Sequence, residues 1–180
     1  SRVVILGLGE TGLASALWCL RQSAALHIVD TRDCPPGLAT LQEQGQGEIT
    51  QFLGAQAFTD AALEGVQQIV LSPGLAPSEP ALAAFQEKAQ QRQISVIGEI
   101  ELFALALGDL ATTQGYKPKV LAITGTNGKT TVTSLTQAML ETAGKTAIAA
   151  GNISPSALTA LMQALDAQSL PQVWVLELSS

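Results

Sequence analysis

The chain has 180 residues, 47% of them hydrophobic, and a formal net charge of −6 with nine Lys and Arg. That length holds one large or two small domains, and so few cations leave no basic stripe for a nucleic-acid backbone. No apolar run approaches the ~18 residues of a membrane span, and the two cysteines, Cys19 and Cys34, lack a metal-like spacing and suit free thiols in a reducing, cytoplasmic setting.

Residues 3–6 are continuous apolar β-formers, which predicts a buried parallel strand. Gly7-Leu8-Gly9-Glu10-Thr11-Gly12 follows as a GxGxxG turn, then a helix over about 13–21. A second strand over 26–29 is closed by Asp30, at the distance from the glycines that a dinucleotide fingerprint asks of its acid. Alone the glycine pattern is weak; with strand, helix and acid in order it predicts a Rossmann-like nucleotide site. Thr31 and Arg32 open a proline-stiffened loop, Asp33-Cys34-Pro35-Pro36-Gly37, where they could grip a base or a phosphate. Arg beside the acid would also suit a 2′-phosphate, so spacing alone leaves NADP open.

A helix is expected over 38–44, a weak strand over 49–53 and a short helix over 60–64. Residues 68–71 form a strand that ends in Ser72-Pro73-Gly74, a stiff turn with a hydroxyl at the sheet's carboxyl edge. Residues 80–91 read as an amphipathic helix with Leu82, Phe85 and Ala89 on one face, and 94–97 as the last strand of this unit. His27, the sole histidine, sits inside a strand and reads as structural, which removes histidine-based catalysis.

Glu99 and Glu101 open the next helix, where they favour the macrodipole rather than a metal, since residues two apart do not face each other. Residues 108–118 are the most linker-like stretch. The expected division is a first domain over 1–98, a connecting helix and linker over 99–118, and a second domain over 119–180. The chain lacks an initiator Met and stops just past an apolar strand, which suggests a piece of a longer protein.

The second domain opens on the most telling stretch. A strand over 120–123 runs into Thr124-Gly125-Thr126-Asn127-Gly128-Lys129-Thr130-Thr131, and a helical pattern continues over 132–143. Strand, glycine turn and helix in that order gather N–H groups and a helix N-terminus around one point, which suits phosphate. Lys129 can reach the outer phosphates and the Thr130 hydroxyl can ligate Mg²⁺. A general phosphate loop has its first Gly where this chain has Ile123, so this loop is a shorter variant.

A strand over 146–150 closed by Gly151-Asn152-Ile153, a helix over 157–165 begun near Pro155, and a strand over 172–178 complete the pattern. Glu177, near the end of that last strand, is placed as a Mg²⁺-directing carboxylate would be. The fold class is therefore α/β: an N-terminal Rossmann-like parallel sheet followed by the first part of a P-loop-type ATP-binding domain. With two phosphate-cradling turns, one site would hold a nucleotide-linked substrate and the other ATP with Mg²⁺. A γ-phosphoryl group could then activate a carboxylate as an acyl phosphate.

Residues 124–131 resemble the ATP loop of the Mur ligases, which build the peptide of bacterial cell-wall precursors. The first glycine turn, Asp30-Thr31-Arg32 with Pro35-Pro36-Gly37-Leu38, Ser72-Pro73-Gly74 and Glu99-Ile100-Glu101-Leu102-Phe103 are similar to the D-glutamate-adding branch, and the resemblance covers essentially the whole chain. It implies a monomeric cytoplasmic ligase using ATP and Mg²⁺, with UDP-N-acetylmuramoyl-L-alanine and D-glutamate as substrates and neither nucleic acid nor membrane as partner. By resemblance Gly9 and Thr11 face the pyrophosphate, Asp30, Thr31 and Arg32 approach the uracil, and Ser72 lies near the same ligand. Gly125, Thr126, Asn127, Gly128, Lys129, Thr130 and Thr131 hold ATP. Asn152 and Ser179 orient the muramoyl-alanine end, Thr130 and Glu177 bind the metal, and Lys129, Asn152 and Glu177 count as catalytic.

Ser154-Pro155 stand where the family has Gly, and Glu10 receives no role. The family's later metal-binding His, its modified Lys and its D-glutamate domain have no counterpart before Ser180, so the chain alone is expected to be inactive. Rival readings are an NADP-dependent oxidoreductase, a phosphate-loop switch, and another amide ligase such as a sister Mur enzyme or a folylpolyglutamate synthetase. The N-terminal GxGxxG domain argues against the folate enzymes, whose chains open on the ATP domain.

Overall fold

A computed structural model describes residues 1–73 and 80–179. Gly74 of the Ser-Pro-Gly turn and Ser180 lie outside the described residues. The chain divides into two compact units, Ser1–Leu102 and Phe103–Ser180.

The first unit runs β1 (Arg2–Leu6), α1 (Glu10–Arg21), β2 (Ala25–Asp30), α2 (Leu38–Gln44), β3 (Ile49–Leu53), 3₁₀ turns at Gly54–Gln56 and Asp60–Leu63, β4 (Gln68–Leu71), α3 (Pro80–Gln91) and β5 (Ser95–Gly98). Its five strands are parallel in the order β3-β2-β1-β4-β5. The order reverses direction between β1 and β4, and the carboxyl ends of those strands make the crevice where open α/β sheets bind ligands. Continuous apolar runs in β1 and β2 match burial of both faces. On one side Val4, Leu6, Val29 and Ile69 join Leu63, Leu82 and Phe85 in a core cluster. Each such side chain contributes roughly 1.5–3 kcal/mol on burial. His27 belongs to this framework: its Nδ1 lies 2.8 Å from the Ala62 carbonyl oxygen and its ring stands 5.0 Å from that of Phe52.

Between the units in sequence, α4 (Glu99–Gln114) extends well into the stretch expected to be linker. Thr112 and Thr113 donate their hydroxyls to the carbonyls of Gly108 and Asp109, four residues back, and so stay compatible with helix. Only residues 115–118 connect it to the next strand. Glu99 is buried and Glu101 exposed at its start.

The second unit continues with β6 (Lys119–Ile123), α5 (Lys129–Thr142), β7 (Ala147–Gly151), α6 (Ala157–Asp166) and β8 (Val173–Glu177). Its described sheet is parallel in the order β6-β8-β7. Central β8 is buried along its length, whereas β6, at an edge, is largely exposed. Trp174 anchors this core: its ring meets Phe103 edge-on at 5.2 Å, and its Nε1 donates to the Tyr116 hydroxyl at 2.9 Å. Tyr116 in turn donates to the Pro171 carbonyl at 2.6 Å.

Two helices begin earlier than the apolar periodicity indicates. Glu10, Thr11 and Gly12 are the first turn of α1, and Lys129, Thr130 and Thr131 are the first turn of α5. Both glycine turns therefore lead directly into a helix N-terminus.

Candidate functional site

Each unit carries one site, and each is built from a strand, a glycine turn and a helix start. In the first, Gly7 takes φ +89° and hands the chain from β1 to the turn. A Cβ on Gly12 would fall 1.8 Å from the Gly7 carbonyl oxygen, so only glycine lets α1 approach β1 this closely. At Gly9 the equivalent position meets nothing within 4 Å among the described residues. The turn is thus closed on its sheet side and open at Gly9, the arrangement a pyrophosphate needs. First-turn N–H groups of a helix have no intrahelical partner, which leaves those of Thr11 and Gly12 to an anion.

The loop after β2 is bound to this turn at both of its ends. Leu8 N–H donates to Asp30 Oδ2 at 2.7 Å, and Gly37 N–H donates to the Leu8 carbonyl at 3.0 Å. Asp30 also accepts from Arg32: the backbone N–H at 3.0 Å and Nε at 2.8 Å reach Oδ1, and Nη2 reaches Oδ2 at 2.6 Å. Burial pushes the Asp30 carboxyl up, but hydrogen bonds from Arg32 and the Leu8 amide, with the guanidinium charge, hold it below the usual carboxylate range. Thr31 and Arg32 themselves are exposed. Ser72 is buried beside the turn, its Oγ 3.5 Å from the point where a Gly12 Cβ would lie. Its N–H donates to the Leu6 carbonyl at 2.9 Å, which ties the end of β4 to that of β1.

In the second site Gly125 and Gly128 take φ +149° and +76°, and neither has a heavy atom near its Cβ direction. Gly128 is the N-cap of α5 without a side-chain cap, so the first N–H groups face the loop. Thr126, Asn127, Thr130 and Thr131 are exposed. Lys129 is half-buried and donates through Nζ to the Gly125 carbonyl at 2.6 Å, folding across the loop it follows.

Strand register brings Glu177 and Gly151 to the edge of this sheet where β6 enters the loop. Glu177 pairs with Ile123 on one side and Gly151 on the other. The residue is 3% exposed, and its Oε2 is buried with no hydrogen-bond partner among the described residues. An unpartnered buried carboxylate oxygen is costly unless a cation or donor meets it. Asn152 N–H donates to the Glu177 carbonyl at 2.7 Å, while the Asn152 side chain and Ser179 are exposed. Gly151, at φ +116°, would carry a Cβ only 2.3 Å from the Glu177 carbonyl oxygen. Leu8, Gly37 and Gly151 lie inside the glycine stretches of the sequence without a role of their own there, and the structure makes them structural members of the two sites.

The donors present suit Mg²⁺, a hard cation that accepts one carboxylate and a hydroxyl beside water and phosphate oxygens. Glu177 Oε2 and the Thr130 hydroxyl are such donors. Among the described residues no group of three or more His, Cys, Asp or Glu forms an all-protein metal cage. The described residues also contain no helix long and apolar enough to cross a membrane.

Comparison with known proteins agrees with this architecture. Residues 1–98 match the Mur ligase MurD-like N-terminal domain, and residues 123–180 match the Mur ligase middle domain. The UDP-N-acetylmuramoylalanine–D-glutamate ligases of Bordetella parapertussis and Burkholderia vietnamiensis are each 57% identical to the chain, over 180 and 179 residues. That of Bordetella avium is 55% identical over 183 residues. Each alignment covers 99% of this chain but 35% of the relative, so the chain spans about a third of the length of these curated proteins. Among solved structures, a murein peptide ligase from Psychrobacter arcticus aligns with a TM-score of 0.51 at 19% identity, over 98% of this chain and 37% of that one. The UDP-N-acetylmuramate:L-alanyl-γ-D-glutamyl-meso-diaminopimelate ligase of Neisseria meningitidis aligns at 0.50 and 18% identity, over 98% and 52%. These two share the fold.

Proposed function

This chain belongs to the Mur ligase family, and from that premise we propose that it is the nucleotide-gathering part of a ligase that adds D-glutamate to UDP-N-acetylmuramoyl-L-alanine in peptidoglycan precursor synthesis. The observation that carries the reading is the second site. A glycine turn with Lys129 in the first helical turn shares its sheet edge with a buried carboxylate, Glu177, one of whose oxygens has no partner among the described residues.

In this reading residues 1–98 hold the UDP-linked substrate, 99–118 connect, and 119–180 begin the ATP-binding domain. Gly9 and Thr11 line the pyrophosphate. Thr31 and Arg32 take the nucleoside end above Asp30, and Ser72 closes the crevice. Residues 125–131 cradle the triphosphate, and Lys129 exchanges its bond to Gly125 for phosphate oxygens. Thr130 and Glu177 hold Mg²⁺, which when bound neutralises charge on the transferring phosphoryl group. Asn152 and Ser179 orient the alanyl carboxylate. A carboxylate oxygen attacks the γ-phosphorus and ADP leaves. The amine of D-glutamate then attacks the acyl carbon, the C–O bond to phosphate breaks, and the nitrogen loses a proton. The chain by itself is expected to bind but not to turn over.

Calorimetric titration tests this. The 180-residue chain should bind both UDP-N-acetylmuramoyl-L-alanine and Mg²⁺-ATP. Lys129→Ala should weaken ATP about ten- to a hundredfold, the worth of one charge-assisted contact of ~1.5–3 kcal/mol, and leave the UDP ligand unchanged. A folded chain that takes up neither nucleotide would remove the proposal.

A further inference from the structure

An acid closing the second strand of a Rossmann-like unit ordinarily meets a ribose diol. Here it is engaged elsewhere. Asp30 is 1% exposed, and its two oxygens accept four hydrogen bonds, one from Leu8 and three from Arg32. Four is about the full capacity of a carboxylate. Leu8 is itself held from both sides, its N–H by Asp30 and its carbonyl by Gly37. Around Gly37 there is little slack, since a Cβ there would lie 3.0 Å from the Leu8 carbonyl oxygen. The Arg32 guanidinium lies against Asp30 through Nε and Nη2 while half of the side chain remains in solvent.

We propose that Asp30 is a positioning residue whose carboxylate does not take the ribose: it locks the phosphate-cradling turn to the Arg32 guanidinium, so the groups that meet the two ends of a nucleoside diphosphate move as one piece. The inference rests on the first unit being the UDP site and assigns how that site is held. It also gives the site its selectivity. A carboxylate with filled acceptors does not bind a ribose diol, so a nicotinamide dinucleotide loses its customary anchor, while a base that meets the exposed side of Arg32 does not need one.

The test is a set of UDP titrations of the 180-residue chain in a Lys129→Ala background, so that only the first unit answers. Asp30→Asn removes the charge and one acceptor and should weaken UDP at least tenfold. The loss should be the same, within twofold, for 2′-deoxy-UDP and 3′-deoxy-UDP. A loss that vanishes with either deoxy analogue would mean direct contact with the ribose and overturn the proposal, as would an affinity within twofold of the parent. Arg32→Lys supplies a second route, because a half-exposed side chain can be changed without emptying the core. It keeps the charge, loses the fork, and should move the Leu8 amide proton resonance upfield although Leu8 is unaltered. An unmoved Leu8 resonance would break the proposed coupling even if Asp30→Asn failed to fold. Absence of UDP binding by the parent chain would instead strike the assignment of the site itself.

Discussion

At the scale of single residues, each site combines a near partner with a distant one: Arg32 and Leu8 on Asp30, Gly125 on Lys129 and Asn152 on Glu177. Asp30 stands 22 residues from Leu8, so its spacing from the glycines was legible and its inward commitment was not. Spacing reports where a side chain starts; only the fold decides which acceptors are already filled. Its ionisation carries a consequence. The folded carboxyl titrates below its ordinary value, so the native state binds fewer protons than the unfolded chain. Asp30 therefore adds stability above the unfolded value of about 3.9, and this contribution fades as pH falls from there through the lower folded value. Urea unfolding between pH 3 and 7 should show a steeper acid loss for the parent than for Asp30→Asn. Cys19 poses no such question, since burial pushes its thiol up to about 12 and leaves it unreactive.

Elements show the same division between local and non-local information. Buried parallel strands were readable from their apolar runs, and α3 from the faces of Leu82, Phe85 and Ala89. The starts of α1 and α5 were not, because their first turns follow glycine turns and are polar, and so carry no apolar period. The end of α4 was obscured by Gly108 and two threonines whose hydroxyls fold back onto the helix. Gly151 was legible as the close of its strand, but nothing local shows why it must be glycine; the backbone of β8 requires it. Its dihedral alone should cost an alanine ~1–3 kcal/mol, and the close approach to Glu177 adds to that. Gly128→Ala, with open space around it, should cost only the ~1–2 kcal/mol of the left-handed conformation. Thermal unfolding of the two variants should rank Gly151→Ala as the worse, and by displacing Glu177 it should also weaken the Mg²⁺ dependence of ATP binding.

For the molecule as a whole, apolar surface is distributed unevenly. In the first unit Val96 is the one large hydrophobic side chain exposed among the described residues, whereas the second exposes Leu105, Val120, Leu121, Val132, Leu135 and Met139. Leu135 and Met139, at 59% and 64% exposure, share a face of α5. Lysine at either position should change the stability of this chain by no more than ~0.5 kcal/mol. Trp174→Ala should cost ~3–5 kcal/mol by opening a cavity against Phe103 and leaving Tyr116 without its donor. Denaturant midpoints at constant slope would distinguish the two cases.

The placement of Trp174 has one more consequence. The chain has two tryptophans, and each unit buries one: Trp18 on α1 and Trp174 on β8. Replacing either by Phe leaves an indole that reports on a single unit. The emission of the two variants, followed through the same denaturant series, then shows whether the halves melt in concert or one after the other.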